Sequence, residues 1–109
     1  MITELQESIV KEIAAKISES WEKIILNLEI DMVHGELVTS PQGEYFLNRE
    51  GNELRLNIDI RDLFKELREE MSAGSGYWTV CDLEILSKGA FEFKFSYDEP
   101  ERLSKLKRS

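Results

Sequence analysis

The stretch Lys23-Ile24-Ile25-Leu26-Asn27-Leu28-Glu29-Ile30-Asp31-Met32 decides how this chain folds. Ile24, Leu26, Leu28, Ile30 and Met32 occupy alternate positions, with Asn27, Glu29 and Asp31 between them. An apolar period of two places one set on one face of a strand and the other set on the opposite face. A strand with one apolar and one polar face belongs to an antiparallel sheet that packs on a single side. Something apolar must therefore cover the face that carries Ile24 to Met32.

The cover is encoded on both sides of this strand. Upstream, Leu5, Ile9, Ile13, Ile17 and Trp21 recur every fourth residue, and Val10 and Ala14 widen the stripe. That spacing predicts an amphipathic helix, with Thr3 and Gln6 in the form of a capping box and Glu4, Glu7, Lys11, Glu12 and Glu19 turned to water. Downstream, Ile60, Leu63, Phe64, Leu67 and Met71 predict a second helix over about residues 59–72. Asn57 or Asp59 is its expected N-cap, and Ala73-Gly74-Ser75-Gly76 its stop. Arg61, Lys65, Glu66, Arg68, Glu69 and Glu70 are expected on its solvated side.

The remaining segments read as strands and turns. His34-Gly35 predicts a turn, followed by a short strand over 36–40. Pro41-Gln42-Gly43 predicts a second turn, 44–47 an extended piece and 48–52 a loop. Leu54, Leu56 and Ile58 alternate with Arg55 and Asn57, which fits a further strand or an irregular lead into the helix. Residues 77–86 and 91–97 predict a hairpin around Ser87-Lys88-Gly89, with Phe91, Phe93, Phe95 and Tyr97 on one face. Pro100 ends that strand, and 101–109 reads as a basic helix or tail. The expected fold is one α+β domain over residues 1–109. Its antiparallel sheet has about five to six strands, with an N-terminal and a central helix on one face, in the order α-β-β-(β-β)-α-β-β.

Charge narrows the function. Fourteen basic and 22 acidic residues give a net charge of −8. Four of the basic residues, Arg102, Lys105, Lys107 and Arg108, crowd into the last nine positions, so the body is more acidic still. Nucleic-acid binding depends on Lys and Arg displacing counterions, so no direct nucleic-acid partner is expected. No apolar run approaches the roughly 20 residues that span a bilayer, and the acidic N-terminus lacks the basic start of a secretory leader. A single cysteine, Cys81, excludes an internal disulfide framework. These features predict a cytoplasmic protein with no membrane contact.

Catalysis lacks parts. One histidine, His34, and one cysteine do not make a zinc or thiol site, and no calcium loop or phosphate-cradling glycine loop occurs. The reading is of a non-enzyme without metal or cofactor, whose acidity either serves solubility or draws it to a basic protein surface. Glu29, Asp31, Asp82, Glu84, Glu92 and Asp98 are the candidate contact residues. They are outward strand positions that would form one negative face if their strands are neighbours.

A helix ending Leu63-Phe64-Lys65-Glu66-Leu67-Arg68-Glu69-Glu70-Met71 is followed by a polar loop and Trp78-Thr79. An alternating strand, a turn with Gly89 and Phe91-Glu92-Phe93-Lys94-Phe95-Ser96-Tyr97-Asp98 come next. In this run the chain resembles the YezG-like immunity proteins (antitoxins) of bacteria, including those of contact-dependent growth inhibition. The first half is similar in layout, with a helix leading into Ser20-Trp21 and a regular strand; residues 34–60 depart from the family pattern. The resemblance implies tight binding to the C-terminal domain of a cognate toxin, often a basic nuclease, and no catalytic residues. The alternatives are an effector chaperone or adaptor without inhibitory activity, and a small ligand-binding domain. The cognate toxin and the oligomeric state are not legible in the sequence.

Overall fold

Strand β1 (Lys23–Val33) is the spine of the structure. The computed structural model describes residues 2–108, and in it β1 pairs antiparallel with β2 (Glu36–Leu47) on one side and β4 (Val80–Leu86) on the other. β3 (Glu50–Leu54) and β5 (Phe91–Ser96) flank these, so the five strands run in the order β3-β2-β1-β4-β5, all antiparallel. Helices α1 (Ile2–Ala15) and α2 (Ile58–Ser75) cover one face, here called inner, and the short α3 (Glu101–Lys107) lies on the outer face.

The inner face holds the core. Ile24, Leu26, Leu28 and Ile30 of β1 are wholly buried, together with Ile9 and Ile13 of α1, Ile60, Phe64 and Leu67 of α2, and Trp78. Cys81, Leu83 and Ile85 of β4 complete the layer. Each such side chain contributes roughly 1.5–3 kcal/mol through burial, which is why the period-two and period-four stripes dominate the fold. Met32, at the end of the β1 stripe, runs past this cover and is half exposed.

Several local expectations are corrected. β2 is one continuous strand of 12 residues, without a turn at Pro41-Gln42-Gly43. Pro41 is tolerated because β3 pairs only with Gly43–Leu47, so β2 has no outer neighbour at Pro41 and needs no donor there. The turn lies at Asn48-Arg49, with φ of 49° and 69°, and the strand Glu50–Leu54 takes in residues 50–52, where a loop was expected. His34-Gly35 forms the other tight hairpin, also with positive φ at both positions, the geometry that matches strand twist. Residues 55–57 are the irregular lead into α2; Leu56 is buried while Ile58 is exposed.

The helices also differ in detail. α1 already includes Thr3, which therefore sits within the first turn and is not its cap. It ends at Ala15, so Ile17 and Trp21 pack against the core from the connection that follows. Asn57 is the N-cap of α2, its Oδ1 accepting from the Ile60 N–H at 2.9 Å, and Gly76 closes the helix with φ of 86°. Arg68 is buried, contrary to its expected solvated place. Its Nε donates to the Trp78 carbonyl at 2.8 Å and its guanidinium stacks 4.6 Å from the Tyr77 ring centre, satisfying a buried acceptor between α2 and β4. No helix among the described residues is long and apolar enough to cross a membrane.

The capping assignments have opposite mutational consequences. Asn57→Ala is expected to lower unfolding stability in urea by about 1 kcal/mol, whereas Thr3→Ala changes it by less than about 0.5 kcal/mol. A larger loss at Thr3 than at Asn57 would contradict the assignment.

Candidate functional site

The outer face of the sheet is divided in two by α3. On this side β1 presents Lys23, Ile25, Asn27, Glu29, Asp31 and Val33. Glu29 is 3% exposed, and a carboxylate so placed must find donors or lose its charge. It finds them in α3. Arg102 Nη1 lies 3.3 Å from Glu29 Oε2, and the Leu103 N–H donates to Glu29 Oε1 at 2.9 Å. The N-cap residue of α3 is Pro100, which offers no side-chain acceptor, so Glu29 does from β1 what a capping residue normally does from within the chain. Arg102 is further fixed by Ser40 Oγ at 2.9 Å, the Ser40 carbonyl at 2.7 Å, the Asn27 carbonyl at 3.1 Å and Gln42 Oε1 at 3.2 Å. Leu103, fully buried, plugs the contact.

Asp31 secures the other end of α3. Lys107 Nζ lies 2.6 Å from Asp31 Oδ2 and 2.8 Å from Glu99 Oε1, with Arg68 Nη2 4.0 Å from Asp31 Oδ1. Burial alone would push the Asp31 carboxyl up. The Lys107 hydrogen bond, the Met32 N–H and the charges of Lys107 and Arg68 together outweigh it, leaving this carboxyl below its ordinary value. The Lys107 ammonium is held above its ordinary value, first by the Asp31 bond and then by Glu99. The His34 ring, in the β1–β2 turn, meets the Leu106 carbonyl at 3.1 Å.

Among the described residues, no element covers the other half of the outer face. Register places Glu53 of β3, Glu44 of β2, Ile25 of β1, Glu84 of β4 and Glu92 of β5 in a single row across all five strands. All five side chains are exposed, Ile25 to 41%. Glu53 pairs with Arg55 at 3.3 Å and Glu92 with Lys94 at 3.8 Å. Glu44 and Glu84, on either side of Ile25, form no ion pair with the described residues. A side chain at Gly51 would run into the Glu44 carboxylate, so the glycine leaves room for that group to lie over β3. The adjacent row runs Gln42, Asn27, Asp82 and Lys94, with Asn27 Nδ2 donating to Asp82 Oδ1 at 2.7 Å.

Of the six contact residues expected from sequence, the structure brings Asp82, Glu84 and Glu92 together on this open half. Glu29 and Asp31 are corrected: α3 is docked on them through Arg102 and Lys107, and Glu29 has no surface to offer a partner. Asp98 lies past the end of β5, where its carbonyl accepts from Thr79 Oγ1 and its carboxylate from Ser96 Oγ at 3.2 Å. Glu44, Glu53 and Ile25 were missed. The alternation within β1 contains the signal for Ile25, but Glu44 and Glu53 join the row only once β2 is continuous and the β2–β3 turn is fixed.

Other chemistry finds little support in the geometry. Cys81 is buried on the inner face, and desolvation with help from Asp82 pushes its thiol far up, away from nucleophilic character. No three His, Cys, Asp or Glu side chains among the described residues are grouped to hold a metal ion. An open groove of about 530 Å³ lies between α1 and α2, bordered by Glu4, Glu66, Glu69, Glu70 and Lys65, with Leu5 and Ser8 between them. Small-molecule sites are enclosed, and this groove is open to solvent. No family model matches the chain, and no curated protein matches it.

Removing the Glu29 carboxylate tests the division of the face. Glu29→Ala removes the charge partner of Arg102 and the acceptor of the Leu103 N–H, and is expected to cost about 2 kcal/mol and free α3, read by its amide resonances. Titration gives a second check. Asp31, with its lowered folded value, contributes in full above about pH 4, and that contribution is lost as pH falls through the lower folded value. Lys107, raised, contributes in full below about pH 10 and loses it as pH rises through the higher folded value. The α3 resonances should therefore be constant across neutral pH and change at both extremes. A transition across neutral pH would contradict this assignment.

Proposed function

We propose that this protein is a cytoplasmic immunity protein that binds a cognate bacterial toxin domain stoichiometrically and neutralises it, without catalysing a reaction. The observation that carries the reading is the open half of the outer face, where Glu44 and Glu84 flank an exposed Ile25 at the centre of an acidic row. Like charges placed on neighbouring strands cost stability. An apolar side chain surrounded by unneutralised carboxylates suits a partner with a basic surface and a small apolar contact at its middle. Nuclease toxins are basic where they grip phosphate, and an acidic sheet face is complementary to such a site. The resemblance of residues 63–98 to YezG-like immunity proteins agrees with this assignment. The partner is thus a basic toxin domain, with nucleic acid only as the substrate that the complex would exclude.

Co-expression with the C-terminal domain of a toxin encoded beside this chain tests the function. A stable complex with restored growth is expected. A complex without rescue would instead indicate a chaperone or adaptor, and no complex would remove both readings. Reversal of Glu44, Glu53 and Glu84 to Lys should weaken toxin binding at low salt by at least about tenfold, mainly through slower association. The same number of reversals on the helix side, at Glu7, Glu12 and Glu19, should have a much smaller effect. Equal losses from both sets would mean that net charge, and not this face, carries recognition.

A further inference from the structure

Strand β5 ends the sheet and, among the described residues, pairs with β4 alone. The Leu86 N–H donates to the Ala90 carbonyl at 2.8 Å, which sets the phase of the β4–β5 ladder. Every second residue from Ala90 onward, including Glu92 and Lys94, turns its backbone groups towards β4, and those of Phe91, Phe93 and Phe95 point away from the sheet. The edge is regular along the whole of Phe91–Ser96 and contains no proline or bulge. Its phenylalanines are half-buried on the inner side, Phe91 at 37% exposure, and stack along the strand at 5.8 Å and 6.0 Å between ring centres. Exposed edges of this kind are usually blunted, a lone lysine being one means.

We propose that β5 is the docking edge for a second copy of this chain, the two β5 strands pairing antiparallel about a two-fold axis through Phe93. The register follows from pleat and charge. In a two-fold pair within one sheet, opposed residues must lie on the same face, so the axis has to pass through a residue. Centred on Glu92 the pair sets glutamate against glutamate, and centred on Lys94 it sets lysine against lysine. Centred on Phe93 it sets Glu92 against Lys94 twice, at non-hydrogen-bonded positions where side chains approach most closely. The outward-pointing backbone groups of Phe91, Phe93 and Phe95 then bond across the axis, and the phenylalanines form one layer on the inner side. The lysine that would block a foreign strand thereby becomes half of a self-complementary pair. This axis keeps both outer faces on one side, and each acidic row runs on, across the Glu92–Lys94 pair, into the other copy's adjacent row of Lys94, Asp82, Asn27 and Gln42. A pairing of one short edge buries less than a standard interface, so the dimer is weak and depends on concentration.

Sedimentation equilibrium of the isolated full chain, from micromolar to millimolar concentration at physiological salt, tests the proposal. The unmodified protein is expected to show a monomer–dimer equilibrium. Lys94→Glu, which makes both cross-axis pairs repulsive, should weaken it by at least about tenfold. The exchange Glu92→Lys with Lys94→Glu in one chain restores opposite charges across the axis and should return the dissociation constant to within about threefold of the original. Both positions are exposed, and circular dichroism verifies that each variant folds. A protein monomeric throughout this range would overturn the proposal, as would a dimer indifferent to Lys94→Glu. Failure of the double exchange to restore association would overturn the register.

Discussion

A carboxylate buried on the central strand governs the outer face of this molecule. Glu29 is almost wholly removed from water, and its charge is tolerable only because Arg102 and the Leu103 N–H meet both of its oxygens. The same contact supplies α3 with the N-terminal acceptor that Pro100 does not provide. A helix of seven residues has little stability of its own, so α3 exists as a helix because the sheet caps it, pairs its cations and buries Leu103. Glu29 and α3 are therefore mutually dependent.

This dependence determines what the rest of the sheet can do. α3 covers the part of the face over Glu29 and Asp31 and uses two of the four tail cations there. The positive segment thus neutralises acids within its own chain and leaves the row through Glu44, Ile25 and Glu84 exposed. The molecule has one packed face, one half-covered face and a compact acidic surface between α3 and the Lys23 end of β1. Such a division suits recognition of a protein surface better than enclosure of a small molecule, since the grooves beside Ile25 are open to solvent.

The inner half of the fold was legible because burial repeats. The alternation of Ile24 to Ile30 and the four-residue period of Leu5 to Ile13 are independent of everything else in the chain, so strand, helix and buried faces follow directly. The middle was less legible because Pro41 signals a turn by its chemistry, and only the absence of a neighbouring strand at that point permits it to stay extended. Arg68 was read as solvated because residue type favours exposure, whereas the Trp78 carbonyl that draws it inward is a tertiary feature. The candidate site was half legible. Asp82, Glu84 and Glu92 follow from alternation in a recognised hairpin; Glu44 and Glu53 depend on a register that runs through the misread segment. Glu29 and Asp31 share the outward parity of the others, and only the docking of α3 distinguishes buried anchors from free charges.

Ile25 provides the most direct measure of the central claim, because it lies at the middle of the exposed row and carries a methyl group visible by carbon–proton NMR. Its δ1 methyl resonance should shift or broaden as a neutralised toxin domain is titrated in, whereas that of Ile58, 70% exposed on α2, should stay in place. A shift at Ile58 with Ile25 unchanged would contradict the account and move the binding surface to the helical side of the molecule.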